Sequence, residues 1–226
     1  MKYKTCVTIA ENNPKKLSIL LKKALKKSDF AEIRFDFVKT KDIPVALELV
    51  KKQLRKCVCT LRPKSDGGRF RDSENERKSI IKLIAEYNPF LVDVEFNALQ
   101  NDKQFQRYMK NSKVKILVSW HNFKNTPNLT ILNKKFKIMK KYSDYVKIVT
   151  MAKTINDATR ILSLYNNTSA TKLVAFSMGE EAQFTRILCL HMGSPFTYVS
   201  LGKAIAPGQF SLDEIRSMSW IIIVKF

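Results

Sequence analysis

The chain has 226 residues, of which 45% are hydrophobic and 27% charged, a composition that excludes a disordered polypeptide and leaves ample material for one core. Lysine and arginine number 41 against 20 acidic residues, for a formal net charge of +21. The lysines fall mostly in helical patterns such as "KKLSILLKKALKKS" and "NKKFKIMKKYS", on faces away from the apolar stripe. Without aromatic interleaving or a basic tail they read as solvated surface, and a nucleic-acid partner is not expected.

From the N-terminus, "MKYKTCVTIAENN" lacks the apolar core of a signal peptide, and the first strand candidate is 4–10. Further β-rich runs follow at 31–38, 56–62, 89–97, 113–123, 144–152, 171–179 and 196–202, alternating with helical patterns. "NPKKLSILLKKALKK", "SENERKSIIKLIAEYN" and "TINDATRILSLYNN" each begin on Asn, Ser or Thr, which can cap a helix. Eight β–α units at this length predict a single-domain (β/α)8 TIM barrel over residues 1–226. An open doubly wound sheet would share the alternation, but no GxGxxG or P-loop follows the first strand. The apolar run "WIIIV" at 220–224 is far short of the ~20 residues of a membrane span, so a cytoplasmic protein with no membrane partner is expected. The four cysteines have neither CxxC spacing nor a suitable histidine partner, and are expected to be free, buried thiols.

In such a barrel, chemistry sits at the C-terminal strand ends. Strand two carries Glu32, Arg34 and Asp36 on one face, with Ile33, Phe35 and Phe37 expected on the face that meets the helices. Strand three ends at Arg62, strand four has Asp93 and Glu95, strand five ends Ser119-Trp120-His121, and strand six holds Lys147. One inward charge alone reads equally well as a structural ion pair. Charges at similar depth on five successive strands describe a pocket for a small polar, anionic molecule. His191, near a helix end just before Gly193, reads as structural.

Lys147 is the most telling residue, because "YVKIV" otherwise suits a strand covered on both faces. An apolar site destabilises an ammonium and leaves a nucleophilic amine near neutral pH. Such an amine condenses with a ketone or aldehyde to an imine, an electron sink that acidifies the adjacent C–H. His121 on the neighbouring strand can then carry protons. Residue chemistry alone leaves aldol cleavage and elimination both open.

These motifs, in this order and spacing, resemble type I 3-dehydroquinate dehydratase along essentially the whole chain. They are E-x-R-x-D at Glu32 to Asp36, "TLR…GG" at Thr60 to Gly68, "DVE" at Asp93 to Glu95, "SWHNF" around His121, "VKIVTM" around Lys147, "FSMG" with Arg186 eight residues after Met178, and "APGQ" at Ala206 to Gln209. The resemblance implies dehydration of 3-dehydroquinate to 3-dehydroshikimate, in the shikimate pathway. Lys147 would form the imine and His121 would move the protons. Asp66 would support His121, and Arg186 would pair with the substrate carboxylate. Glu32, Arg34, Arg62 and Gln209 would hold ring hydroxyls and the ketone region, with the Gln209 loop closing over the substrate. The resemblance also implies a homodimer that needs neither metal nor organic cofactor.

The sequence departs from the family pattern twice. Asp66 stands where the family has a glutamate one methylene longer, and Ile205 replaces a small hydroxyl residue before "APGQ". Two other readings compete with the dehydratase: a different Schiff-base barrel enzyme such as a class I aldolase, and a basic nucleic-acid-binding protein on a degenerated barrel.

Overall fold

The computed structural model describes residues 3–168, 170–202 and 204–219. Eight strands are present, as the periodicity predicts: β1 (Thr5–Ile9), β2 (Phe30–Arg34), β3 (Cys57–Thr60), β4 (Leu91–Glu95), β5 (Ile116–Asn122), β6 (Tyr145–Met151), β7 (Lys172–Met178) and β8 (Thr197–Val199). Between and after them run α1 (Pro14–Lys27), α2 (Ile43–Val50), α3 (Glu74–Glu86), α4 (Phe96–Gln100), α5 (Lys103–Asn111), α6 (Leu129–Met139), α7 (Ile155–Leu162), α8 (Thr185–His191) and α9 (Leu212–Ser219). Among the described residues, all strand pairings are parallel and the ladder runs β7-β6-β5-β4-β3-β2-β1-β8. The seam of this nearly closed barrel therefore falls between β7 and β8. The "WIIIV" run lies outside the described residues, and among those described no helix is long and apolar enough to cross a membrane.

Local chemistry starts the helices where expected. The Asn13 side chain accepts from the amides of Lys15 and Lys16, and Pro14 presets the first turn of α1. Ser73 accepts from the Glu76 amide at the start of α3, and Thr154 from the Asp157 amide at the start of α7. α7 ends at Leu162, short of the predicted span, and 163–167 tighten into a 3-10 turn.

Two apolar layers follow from strand alternation. Val7, Ile33, Val94, Val118 and Ile148 face out and pack on helix residues such as Leu21, Leu47 and Phe136. Cys6, Val58, Leu91, Leu117, Val174 and Phe196 form a separate cluster inside the barrel, toward the strands' N-terminal ends. The four cysteines are buried and free. Lysines 15, 16, 22, 23, 26 and 27 of α1 are exposed, as expected of a solvated face.

Strand two stops earlier than predicted. β2 ends at Arg34 and residues Phe35–Phe37 form a 3-10 turn. The Asp36 carboxylate accepts from Arg34 Nε and Nη2 (2.8 and 2.7 Å) and from the Arg69 amide (3.0 Å), which curls the chain instead of extending it. Phe35 is buried against the helices, whereas Phe37 lies under the guanidiniums of Arg34 and Arg69.

Candidate active site

Strand register places the polar residues at one level. Thr60 pairs across to Arg34 on one side and Asp93 on the other, and Ser119 lies between Glu95 and Lys147. Arg34, Thr60 and Lys147 of this level line a cavity of about 180 Å³ at the C-terminal end of the barrel. All three predicted catalytic residues and all five predicted binding residues line it.

Much of the positive charge is already engaged by protein carboxylates. Arg62 Nη1 donates to Glu95 Oε1 (2.7 Å), Ser119 Oγ (2.8 Å) and Asp66 Oδ2 (3.1 Å), while Nη2 is ion-paired with Asp93 (2.7 Å). Burial alone would weaken this guanidinium's charge, but Asp93, Glu95 and Asp66 hold it firmly protonated. Arg34 is paired with Asp36, and Thr60 donates to Glu32 (2.8 Å). Arg62 thus organises three carboxylates from two segments while also lining the cavity.

Lys147 is buried, but its surroundings are not the apolar ones expected. Its Nζ lies 3.3 Å from Asp93 Oδ2 and 4.4 Å from the centre of the Tyr198 ring. Asp93 also accepts from Ser119 (2.5 Å) and pairs with Arg62. Burial raises the Asp93 carboxyl, but Arg62 and Lys147 together pull it far below the usual range. The carboxylate is shared three ways, and the lysine contact is the longest of the three.

His121 Nδ1 lies 2.9 Å from Asp66 Oδ2. Burial would raise the Asp66 carboxyl, but the His121 hydrogen bond and the Arg62 charge keep it below its ordinary value. An ionised Asp66 is only an acceptor, so the proton of neutral His121 sits on Nδ1 and Nε2 carries the lone pair. Burial and the Arg62 cation push His121 down to about 4, against the opposing pull of Asp66. Asp66 does pull the ring toward its imidazolium form, but burial and Arg62 outweigh that pull and the resting ring is neutral. Phe123 stacks on the ring at 5.8 Å.

The loop that carries Gln209 is closed against the barrel. Gln209 Oε1 accepts from the amides of Ile205 (3.0 Å) and Ala206 (3.4 Å), and its Nε2 donates to Thr8 Oγ1 (3.2 Å). These bonds make Gln209 a latch between loop and β1. Lys203, at the start of the "KAIAPGQF" stretch, lies outside the described residues. Arg186 Nη2 donates to the Pro207 carbonyl (3.0 Å), while its buried Nε has no partner among the described residues. Burial pushes Arg186 down to about 10, and among the described residues no carboxylate pairs with it. Its spare donors suit an anionic ligand.

Sequence reasoning missed Tyr198, Thr8 and Arg77. Inward alternation on β8 pairs Phe196 with Tyr198 and would have found the tyrosine. Arg77 sits four and seven residues before the buried Ile81 and Ile84, a cation on an apolar helix face. His191 Nδ1 bonds Tyr3 Oη (2.8 Å) away from the cavity, in keeping with a structural role.

Comparison with known proteins gives the family. A family model described as type I 3-dehydroquinase matches residues 5–223. The 3-dehydroquinate dehydratase of Methanococcus maripaludis strain C7 is 32% identical over 219 residues, 96% of this chain and 99% of that protein. The Pyrococcus abyssi protein of the same name is 37% identical over 190 residues, 84% of this chain and 85% of that one. The crystal structure of the Aquifex aeolicus 3-dehydroquinate dehydratase is 26% identical with a TM-score of 0.80, covering 98% of this chain and 99% of that one. That from Geobacillus kaustophilus shares the fold at a TM-score of 0.88 and 22% identity, over 98% of this chain and 91% of that one. With the match running from β1 past the last described helix, and every predicted site residue around one cavity, the chain belongs to the type I 3-dehydroquinase family.

Proposed function

We propose that Lys147 forms the imine through which this family member, a hydro-lyase, dehydrates 3-dehydroquinate to 3-dehydroshikimate. The observation that carries the reading is the convergence of Lys147 and a neutral, Asp66-oriented His121 on one cavity. The lysine amine adds its electron pair to the substrate ketone carbon. His121 passes protons as the carbinolamine forms and then loses its oxygen as water, leaving a protonated imine. That cation makes the adjacent C–H acidic, and His121 takes the proton through Nε2. The resulting enamine expels the neighbouring hydroxyl, which leaves as water with the proton His121 returns. Water then hydrolyses the imine and frees Lys147.

Asp66 orients His121 for both proton transfers. Arg186, with its unused Nε, pairs with the substrate carboxylate. Glu32 and Arg34 meet ring hydroxyls, Arg62 positions the carboxylates around the amine, and Gln209 latches the loop that keeps bulk water from the imine. A homodimeric, cytoplasmic enzyme of the shikimate pathway is the assembly and setting that this membership supports. Sedimentation at micromolar concentration tests the dimer.

Borohydride added with 3-dehydroquinate should reduce the imine and leave a stable adduct, mapped by mass spectrometry to the peptide containing Lys147. Turnover with Lys147 unmodified, or an adduct on another lysine, would overturn the assignment. An aldol product in place of 3-dehydroshikimate would favour the aldolase reading.

A further inference from the structure

Among the described residues, the mechanism leaves one fully buried cation unused. Arg77, on α3, is only 2% exposed and touches neither the cavity nor any group assigned to the reaction. Its Nε and Nη2 donate to the two oxygens of Glu74 (2.8 Å each), and its Nη1 donates to Glu95 Oε2 (2.5 Å) and the Leu61 carbonyl (3.1 Å). Glu95 Oε1 accepts from Arg62 (2.7 Å), so Glu95 bridges two guanidiniums. Leu61 immediately precedes Arg62. Arg77 therefore grips the Arg62 side chain through Glu95 and its backbone through Leu61.

We infer that Arg77 is a positioning residue for catalysis, one that fixes Arg62 through Glu95 and thereby sets the charge felt by His121. A helix residue otherwise has little reason to bury a guanidinium, whose desolvation is rarely repaid by stability alone. The groups facing Glu95 are Arg62, Arg77 and Asp93. Those facing His121 are Arg62, Asp66 and Lys147, with Asp93 farther off. Arg77 balances the charge of Glu95, which leaves Arg62 to hold Asp93 and Asp66 and to keep His121 neutral. Burial already raises the Glu95 carboxyl against the pull of both guanidiniums. Without Arg77, the ionised Glu95 leaves an uncompensated negative charge beside Arg62, which offsets the cation felt by His121, raises the ring and moves the acid limb of the rate profile to higher pH.

This inference rests on the imine reading only where activity is measured; His121 titration by NMR is independent of it. The chain has two histidines, so removing His191 assigns the remaining ring signals to His121. In Arg77→Met, the acid limb of kcat/KM is expected to shift to higher pH by about one unit, with kcat near neutrality lowered about tenfold and KM changed less than twofold. Arg77→Lys, which keeps the charge but loses the fork, should recover part of the shift. The double variant Arg77→Met with Glu95→Gln removes both charges of the pair and should return the limb toward the wild-type position. If Arg77→Met fails to fold, the lysine and double variants carry the test. A purely structural Arg77 would lower the melting temperature and leave the limb, the NMR titration and kcat per folded site unchanged, and that result overturns the inference. Failure of wild-type enzyme to dehydrate 3-dehydroquinate would instead overturn the functional reading and leave the NMR arm standing.

Discussion

Asp66 and His121 meet directly: Oδ2 and Nδ1 are 2.9 Å apart although 55 residues separate them in the chain. The shorter carboxylate reaches because its loop comes inward. Gly67, at φ 77°, closes the turn after Lys64–Asp66, and Gly68 passes against Arg62 so closely that a Cβ would lie 2.0 Å from the Arg62 carbonyl oxygen.

With the contact already made, Asp66→Glu gains nothing from the added methylene and is expected to leave kcat unchanged or lower it by crowding. Asp66→Asn removes the charge that orients the ring and should lower kcat by about 10- to 100-fold, part of the ~10²–10⁴ that an acid–base group supplies. Steady-state kinetics of the two variants decide it. A rise in kcat for Asp66→Glu would mean the aspartate contact is too long to work.

The pH profile follows from the neutral histidine. His121 is held down to about 4, below an unfolded value of ~6.5, so kcat/KM should stay level down to about pH 5 and fall as the ring takes its proton. Between those two values the unfolded chain binds more protons than the folded one, so stability is lost as pH falls through that window. Asp66 opposes the depression, so Asp66→Asn should push the limb lower still. A wild-type limb near 6.5 would show that the ring titrates as if in water.

The sequence made the barrel legible because burial on both faces writes each strand as a short apolar run, and caps mark where helices begin. Asn13, Ser73 and Thr154 all cap as expected. The site's membership was legible too, since inward alternation and strand ends are local properties. Partnership was not. Nothing local says that Arg62 is claimed by Asp66, Asp93 and Glu95, that Lys147 has Asp93 beside it, or that Arg77 reaches under the barrel rim. Those pairings depend on register between strands and on where the 63–70 loop returns. The overrun of strand two has the same origin: Asp36 bonds the amide of Arg69, which is 33 residues away.

Gly68 tests the loop itself. Gly68→Ala places a methyl against backbone, so either the loop or Arg62 must move, at a cost of about 1–3 kcal/mol. A lowered melting temperature and at least a tenfold fall in kcat are expected. Gly202→Ala, where the added methyl meets nothing within 4 Å, is the control and should change neither. Normal activity in Gly68→Ala would show that the close approach is not needed to place Asp66.

Arg186 has two tasks, and substitution can separate them. Its Nη2 holds the Pro207 carbonyl of the loop, while its Nε is buried without a partner among the described residues and is free to meet a carboxylate. A charge-assisted bond of this kind contributes about 1.5–3 kcal/mol, so Arg186→Ala should raise KM by roughly 10- to 100-fold. Arg186→Lys keeps a cation but not the planar fork and should recover only part of that. Loss of the Pro207 bond alone would also raise KM by loosening the loop. An analogue of 3-dehydroquinate with its carboxylate replaced by a primary alcohol distinguishes the two. If the guanidinium reads the carboxylate, wild type and Arg186→Ala bind the alcohol with nearly equal affinity, because the group that Arg186 recognises is gone. If the penalty for Arg186→Ala is as large with the alcohol as with the acid, Arg186 acts by holding the loop, and the carboxylate is bound elsewhere in the cavity.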